Sequence, residues 1–152
     1  MLAFSLQATL LLKALSYDAN ISRFSEIKVG VVYYEAEGEK TADGFLEGFG
    51  GLKKKEVAGI PVSAKKLKGG TDLSGYEVIY IASGDRERIK KVLAVASKAI
   101  TVTPYPNMVN LGIVLGLGEK DGNPKIWVNL NASRAVGCNF SSDFLRLAEV
   151  VE

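Results

Sequence analysis

The chain contains no histidine and a single cysteine, Cys138. These two shortages remove much of catalytic chemistry. A zinc site built on His and Cys, a Ser-His-Asp triad and a Cys-His pair each lack an essential member. One cysteine cannot close an intrachain disulfide, so cysteine usage leaves the redox compartment open. Free cysteine usually behaves as a small buried apolar residue, and Cys138 is assigned that role rather than that of a reactive thiol. Charge of one sign is also scarce. The 19 basic residues against 17 acidic ones leave a net +2, so no global field argues for nucleic acid. Local clusters exist at Lys53-Lys54-Lys55 and at Lys65-Lys66 with Lys68. No aromatic residues interleave with them, as a single-strand binder needs, and helix ends and strand edges account for such lysines. Long hydrophobic runs are missing too. The opening MLAFSLQATLLLKALSYDAN imitates a signal peptide, but Lys13 follows its apolar stretch and no small-residue cleavage site comes after it. No segment reaches the roughly 18 apolar residues of a membrane span. The opening reads as a structural helix, and an exported protein would have lost its leader before this point.

What is present is ordinary for one globular domain spanning 1–152: 47% hydrophobic and 24% charged residues, with enough chain to bury a core. The organising stretch is Tyr76 to Thr103, YEVIYIASGDRERIKKVLAVASKAITVT. Val78-Ile79-Tyr80-Ile81 is an unbroken run of strand formers, the mark of a strand covered on both faces. Ser83-Gly84-Asp85 supplies turn formers that also cap helices. Ile89, Val92, Leu93 and Ala96 then follow helical spacing, and Ile100 to Thr103 returns to strand. A crossover of this length predicts a parallel βαβ unit.

Around it, Phe4 to Tyr17 predicts a largely covered first helix, and Ile27 to Tyr34 an interior strand. EAEGEKTAD reads as a loop, with Thr41 and Asp43 opening a second helix that buries Phe45, Leu46, Phe49 and Leu52. Gly44, Gly48, Gly50 and Gly51 in that helix fit neither a dinucleotide nor a Walker spacing. They read instead as close packing on the sheet, with Gly50-Gly51 ending the helix. Pro61 to Leu67 has the lysines and proline of an edge strand. TPYPNMVN reads as a shaped loop. Leu111 to Leu117 and Lys125 to Leu130 predict an antiparallel hairpin across the turn at 118–124. Asn131 to Val136 predicts a short helical turn ending at Gly137. Ser141 caps a last helix that carries Phe144, Leu145, Ala148 and Val151 inward. The fold class is therefore α/β: a mostly parallel, Rossmann-like sheet with helices on both faces and an antiparallel C-terminal hairpin.

Open α/β sheets bind ligands outside the carboxyl ends of their strands, near a topological switch point. Tyr34 with Glu35, Ser83 with Gly84 and Asp85, and Thr103 with Tyr105 and Asn107 fall there. Two readings stand side by side: a pocket for a small polar ligand or a partner, and ordinary capping and loop hydrogen bonding, which is preferred. Asp85 and Glu35 are the only carboxylates to nominate as acid or base, and helix-dipole reasons explain acidic residues there equally well. Arg134 and Asn131 either face a partner or satisfy backbone groups at a strand-to-helix corner. No catalytic set, metal-ligand set or cofactor fingerprint is found.

The segment KIWVNLNASRAVGCNFSSDFLRLAEVV resembles the end of YfiR-like periplasmic regulatory proteins: a strand running into NLNASR, a glycine break, then SSDFLRLAEVV. LLLKALSYDANI followed by KVGVVYY is similar to that family's opening helix and first strand, and GIPVSAKKL and EVIYIA fall at its second and third strands. The resemblance implies a periplasmic, non-enzymatic α/β protein without cofactor. It also implies a homodimer that restrains a membrane-bound diguanylate cyclase by binding its periplasmic domain. Paired cysteines found in the best-known member are missing here, so redox control is not carried over. A second expectation, from the strand ends alone, is a small-molecule-binding or hydrolytic domain.

Overall fold

Alternation along the strands sorts the interior into two layers, one on each face of a single sheet. The computed structural model describes residues 1–152. Its helices are α1 (Phe4–Ser16), α2 (Ala36–Gly50), α3 (Arg86–Val95), α4 (Leu130–Ala135) and α5 (Ser142–Leu147). Its strands are β1 (Ile27–Tyr33), β2 (Glu56–Val57), β3 (Ile60–Lys68), β4 (Val78–Ile81), β5 (Ile100–Thr103), β6 (Leu115–Lys120), β7 (Asn123–Asn129) and β8 (Glu149–Val151). Successive strand residues point to opposite faces. Val29, Val31, Val78, Tyr80 and Val102 therefore meet Leu11 and Leu15 of α1 and Phe45 and Phe49 of α2. Val32, Ile79 and Ile81 meet Ile89 and Val92 of α3 on the other face. The eight strands lie in the order β2-β3-β1-β4-β5-β6-β7-β8. The run β3-β1-β4-β5-β6 is parallel, β6 and β7 form an antiparallel hairpin, and β8 pairs parallel with β7. The expected α/β class, with helices on both faces and the C-terminal hairpin, is what the chain adopts.

Four boundaries differ from the sequence expectation. The EAEGEKTAD stretch is the N-cap and first two turns of α2, which starts at Ala36; Glu37 and Glu39 favour a helix start by complementing the dipole. TPYPNMVN is not irregular throughout, because Pro106 opens a 3-10 helix over Pro106–Leu111, where its missing N–H costs nothing. The hairpin is displaced: β6 begins at Leu115, and the chain reverses at Asp121-Gly122, both at positive φ (54° and 79°). That is the two-residue turn whose twist matches paired strands. Finally, the last helix stops at Leu147, and Glu149–Val151 joins the sheet as β8 instead of continuing the helix.

Helix α1 crosses α2 closely enough to dictate sequence. A Cβ at Gly44 would overlap the Phe4 ring, and one at Gly48 would sit 2.7 Å from the Phe4 carbonyl carbon. The expected close packing is real, but it is helix on helix rather than helix on sheet. Below it, the Tyr80 hydroxyl donates to Gln7 Oε1 at 2.5 Å, and Gln7 Nε2 donates to the Leu2 carbonyl at 2.8 Å. Phe45 stacks on Tyr80 at 4.0 Å. This buried chain of bonds satisfies the only polar side chain that α1 sends into the layer. On β3, Lys66 reaches Glu39 at 2.8 Å and Asp43 at 3.0 Å on α2, so that member of the lysine cluster is engaged internally.

Asp18, just after α1, is buried and joins the two ends of the chain. Its carboxylate accepts from the N–H of Asn20 and of Asn139, each at 2.9 Å, and pairs with Arg23 at 2.8 Å. Burial alone would push the carboxyl up; the Asn139 N–H, Arg23 and the Asn20 N–H outweigh it and hold it below its ordinary value.

Two predictions follow from this packing. Gly48→Ala should lower unfolding free energy by about 1–3 kcal/mol, whereas Gly50→Ala, with open space around the added carbon, should leave it unchanged or raise it by up to ~1 kcal/mol. Equal losses in denaturant titrations would contradict the crossing. Asp18→Asn should cost at least ~2 kcal/mol at neutral pH, because partners of a buried carboxylate are left unmatched. A depressed folded-state pKa stabilises fully above the unfolded value of about 4 and is lost as pH falls through the folded value. The difference in melting temperature between wild type and Asp18→Asn should therefore shrink below about pH 4.

Candidate functional site

Strands β1 and β4 are neighbours, yet their helices leave on opposite faces: α2 leads from β1 to β3, and α3 leads from β4 to β5. Adjacent strands whose connections diverge leave a crevice at their carboxyl ends. Here it is a cleft of about 310 Å³ lined by Tyr34, Glu35, Glu37, Gly38, Ala82, Ser83, Gly84, Asp85 and Tyr105. The first turn of α2 is pressed on the end of β4, and a Cβ at Gly38 would meet the Ala82 carbonyl oxygen at 2.6 Å.

Three of the polar side chains that line the cleft, Glu35, Ser83 and Asp85, are engaged within the fold. Asp85 is the N-cap of α3: its Oδ1 accepts from the N–H of Glu87 at 2.9 Å and of Arg88 at 3.4 Å. The Ser83 hydroxyl accepts from the Asp85 N–H at 3.2 Å. Glu35 pairs with Arg88 at 3.5 Å, and the same guanidinium lies 4.8 Å from the Tyr34 ring centroid. The two carboxylates nominated as acid or base thus serve capping and ion pairing. The tyrosines give the cleft aromatic walls, Tyr34 over Gly69 and Tyr105 beside Gly84.

Five of the nominated residues, Tyr34, Ser83, Gly84, Asp85 and Tyr105, come together with Glu35. Thr103 lies buried beneath them, its hydroxyl accepting from the Tyr105 N–H at 3.0 Å. Asn107, in the 3-10 helix, does not line the cleft. Arg134 is elsewhere altogether. Strand β7 runs antiparallel to β6, so α4, which follows it, stands at the amino ends of the parallel strands. Glu37, Gly38 and Arg88 were not anticipated. The acidic spacing of Glu37 and Glu39 was the available signal, hidden by reading that stretch as a loop.

Cys138 is buried against Asp18 and Arg23, with Arg23 Nη2 3.7 Å from its sulfur. Burial first, then the Asp18 charge, push its thiol up to about 12 against the opposing pull of Arg23. A thiol so protonated is a poor nucleophile.

Fold and cleft together define a doubly wound α/β domain with a switch-point crevice. Residues 38–149 match the sequence profile of a family described as YfiR/HmsC-like, and the chain belongs to that family. The family is one of periplasmic, regulatory, non-catalytic proteins. No curated protein sequence matches the chain. Among solved structures it is similar to a domain from Streptococcus pneumonia described as an ABC domain in complex with L-Trp. That alignment has TM-score 0.63 and 12% identity, and covers 99% of this chain and 60% of the other. It is also similar to a conserved domain protein from Vibrio cholerae O1 biovar eltor str. N16961, with TM-score 0.65, 15% identity and coverage of 98% and 60%. The chain thus spans about 60% of each of those chains, and identities so low speak for the fold. No helix is long and apolar enough to cross a membrane.

The capping role of Asp85 is open to a direct test. Asp85→Ala should cost about 1 kcal/mol of unfolding free energy, read by denaturant titration without any ligand. An unchanged midpoint would contradict it.

Proposed function

We propose that this protein is a non-catalytic regulator that binds the periplasmic domain of a membrane-anchored diguanylate cyclase, or a similar signalling partner, and restrains it. Membership of the YfiR/HmsC-like family carries the proposal. The cleft is consistent with it, since its nominated carboxylates are engaged in capping and pairing instead of being held free for proton transfer. Periplasmic residence and a homodimeric state belong to the same reading. Co-expression with a diguanylate cyclase of the same genome that carries a periplasmic sensor domain should lower cellular cyclic-di-GMP. Unchanged nucleotide, with no association between the purified proteins, would overturn the proposal.

One observation favours a second reading, a small ligand seated in the switch-point cleft. The cavity has about 310 Å³ of room and two aromatic walls, within the usual range for ligand sites of roughly 300–1,000 Å³. One structural neighbour is described in complex with L-Trp. A compound binding the native state raises the melting temperature. Amino acids, nucleotides and sugars should be screened by thermal shift; a panel that moves nothing counts against this reading and leaves the first intact.

A further inference from the structure

A second concavity, more apolar than the switch-point cleft, lies away from it, in a groove between the end of α1, the start of β7 and α5. Leu10, Tyr17, Ile126, Phe144 and Leu147 line it, with Lys13 and Lys125 also contributing. Its floor is aromatic: Tyr17 and Phe144 stack at 4.9 Å, and Phe140 packs on Phe144 at 5.2 Å. Leu147 stands on its wall with 68% of its surface exposed, although its helix is ordered on the core by Phe144. The cavity measures about 130 Å³. That is below the roughly 300 Å³ at which small-ligand sites begin, and suits one apolar side chain inserted from a larger partner. Such anchors carry much of the binding energy of protein interfaces.

Charge around the groove indicates what surrounds that anchor. Nearby carboxylates are engaged: Asp143 pairs with Arg146, and Glu149 pairs with Lys120. Lys13 and Lys125 have no carboxylate within ion-pair distance. Lys13 in the last turn of α1 has a dipole reason to be there. Lys125, half-buried on β7, has none. An apolar hole flanked by two unpaired cations complements an apolar residue flanked by acidic ones.

We propose that this groove is the docking site for a partner protein segment in which an apolar anchor is flanked by acidic residues. The inference rests on the reading of the protein as a regulator acting by contact, and it gives that contact a place. The anchor fills the space over Phe144 and Ile126, Leu147 closes over it, and Lys13 and Lys125 meet its flanking carboxylates. Such an interaction should weaken with salt.

Two probes separate the groove from the identity of the partner. The first is a short synthetic peptide with central leucines flanked by aspartates, compared with the same peptide flanked by lysines. The second is the purified periplasmic domain of a diguanylate cyclase from the same genome. Binding of each to the full chain is measured by calorimetry for wild type, Leu147→Glu, Lys13→Glu with Lys125→Glu, and Val95→Glu, an exposed change on α3. The aspartate peptide should bind more tightly than the lysine peptide. Leu147→Glu should weaken it at least tenfold, the lysine reversals should invert the preference, and Val95→Glu should change nothing. The cyclase domain should show the same pattern. If only the aspartate peptide binds, the groove stands and the cyclase assignment falls. If the cyclase domain binds Leu147→Glu as tightly as wild type, the groove proposal is overturned and the function remains. Failure of both probes overturns the groove. A dimer in light scattering that Leu147→Glu dissolves would also overturn it, in favour of a second copy as occupant.

Discussion

A buried carboxylate sets the geometry on which the outer surface of this domain depends. Asp18 sits where α1 ends; Asn20 and Arg23 hold its carboxylate locally, and the Asn139 N–H ties it to the C-terminal segment. A short antiparallel bridge between Asp18 and Phe140 continues the join, as does the Ser141 N–H donating to the Tyr17 carbonyl at 3.1 Å. With these fixed, Tyr17 stacks on Phe144 and α5 lies beside α1. The family match covers 38–149, so α1 falls outside it. The Asp18 bonds nevertheless make that helix part of the same folded unit. A charge taken out of water is tolerated because each of its partners is fixed by secondary structure or by a short loop.

How far the sequence revealed this fold depended on whether local pattern and tertiary demand agreed. Val78 to Ile81 and Ile100 to Thr103 are covered on both faces, and their unbroken apolar character says so. Asp85 announces α3 because capping is a local interaction. The start of α2 looks like a loop because Glu35 to Asp43 is rich in charged residues and carries no large apolar one, and the contact of Gly38 with the end of β4 leaves no apolar mark in the sequence. At the C-terminus, Ala148 and Val151 fitted a helical stripe equally well. Only the open edge of β7, a long-range feature, turns Glu149–Val151 into a strand. The hairpin was displaced because LGIVLGL looks extended throughout, whereas the Asp121-Gly122 turn fixes the register.

The cleft was legible to the extent that topology was legible. Once β1 and β4 are neighbours with diverging helices, Tyr34, Ser83 to Asp85 and Tyr105 must converge. Arg134 did not belong with them because its place depends on β7 running against the parallel strands. That direction becomes clear only when the hairpin is located. The groove between α1 and α5 had no sequence signal at all. Leu10, Ile126 and Leu147 are far apart in the chain, and each alone looks like an ordinary core residue. Their separate places in the sheet and helices create the concavity, while the missing partners of Lys13 and Lys125 give it a sign.

On the function proposed above, this domain acts through an outer contact face rather than through chemistry at its strand ends. Amide hydrogen exchange of the full chain, with and without the periplasmic domain of a diguanylate cyclase from the same genome, tests it most directly. New protection is expected at 10–17, 124–126 and 144–148, with exchange at 82–88 unchanged. Protection confined to 82–88, with none around the groove, would contradict it.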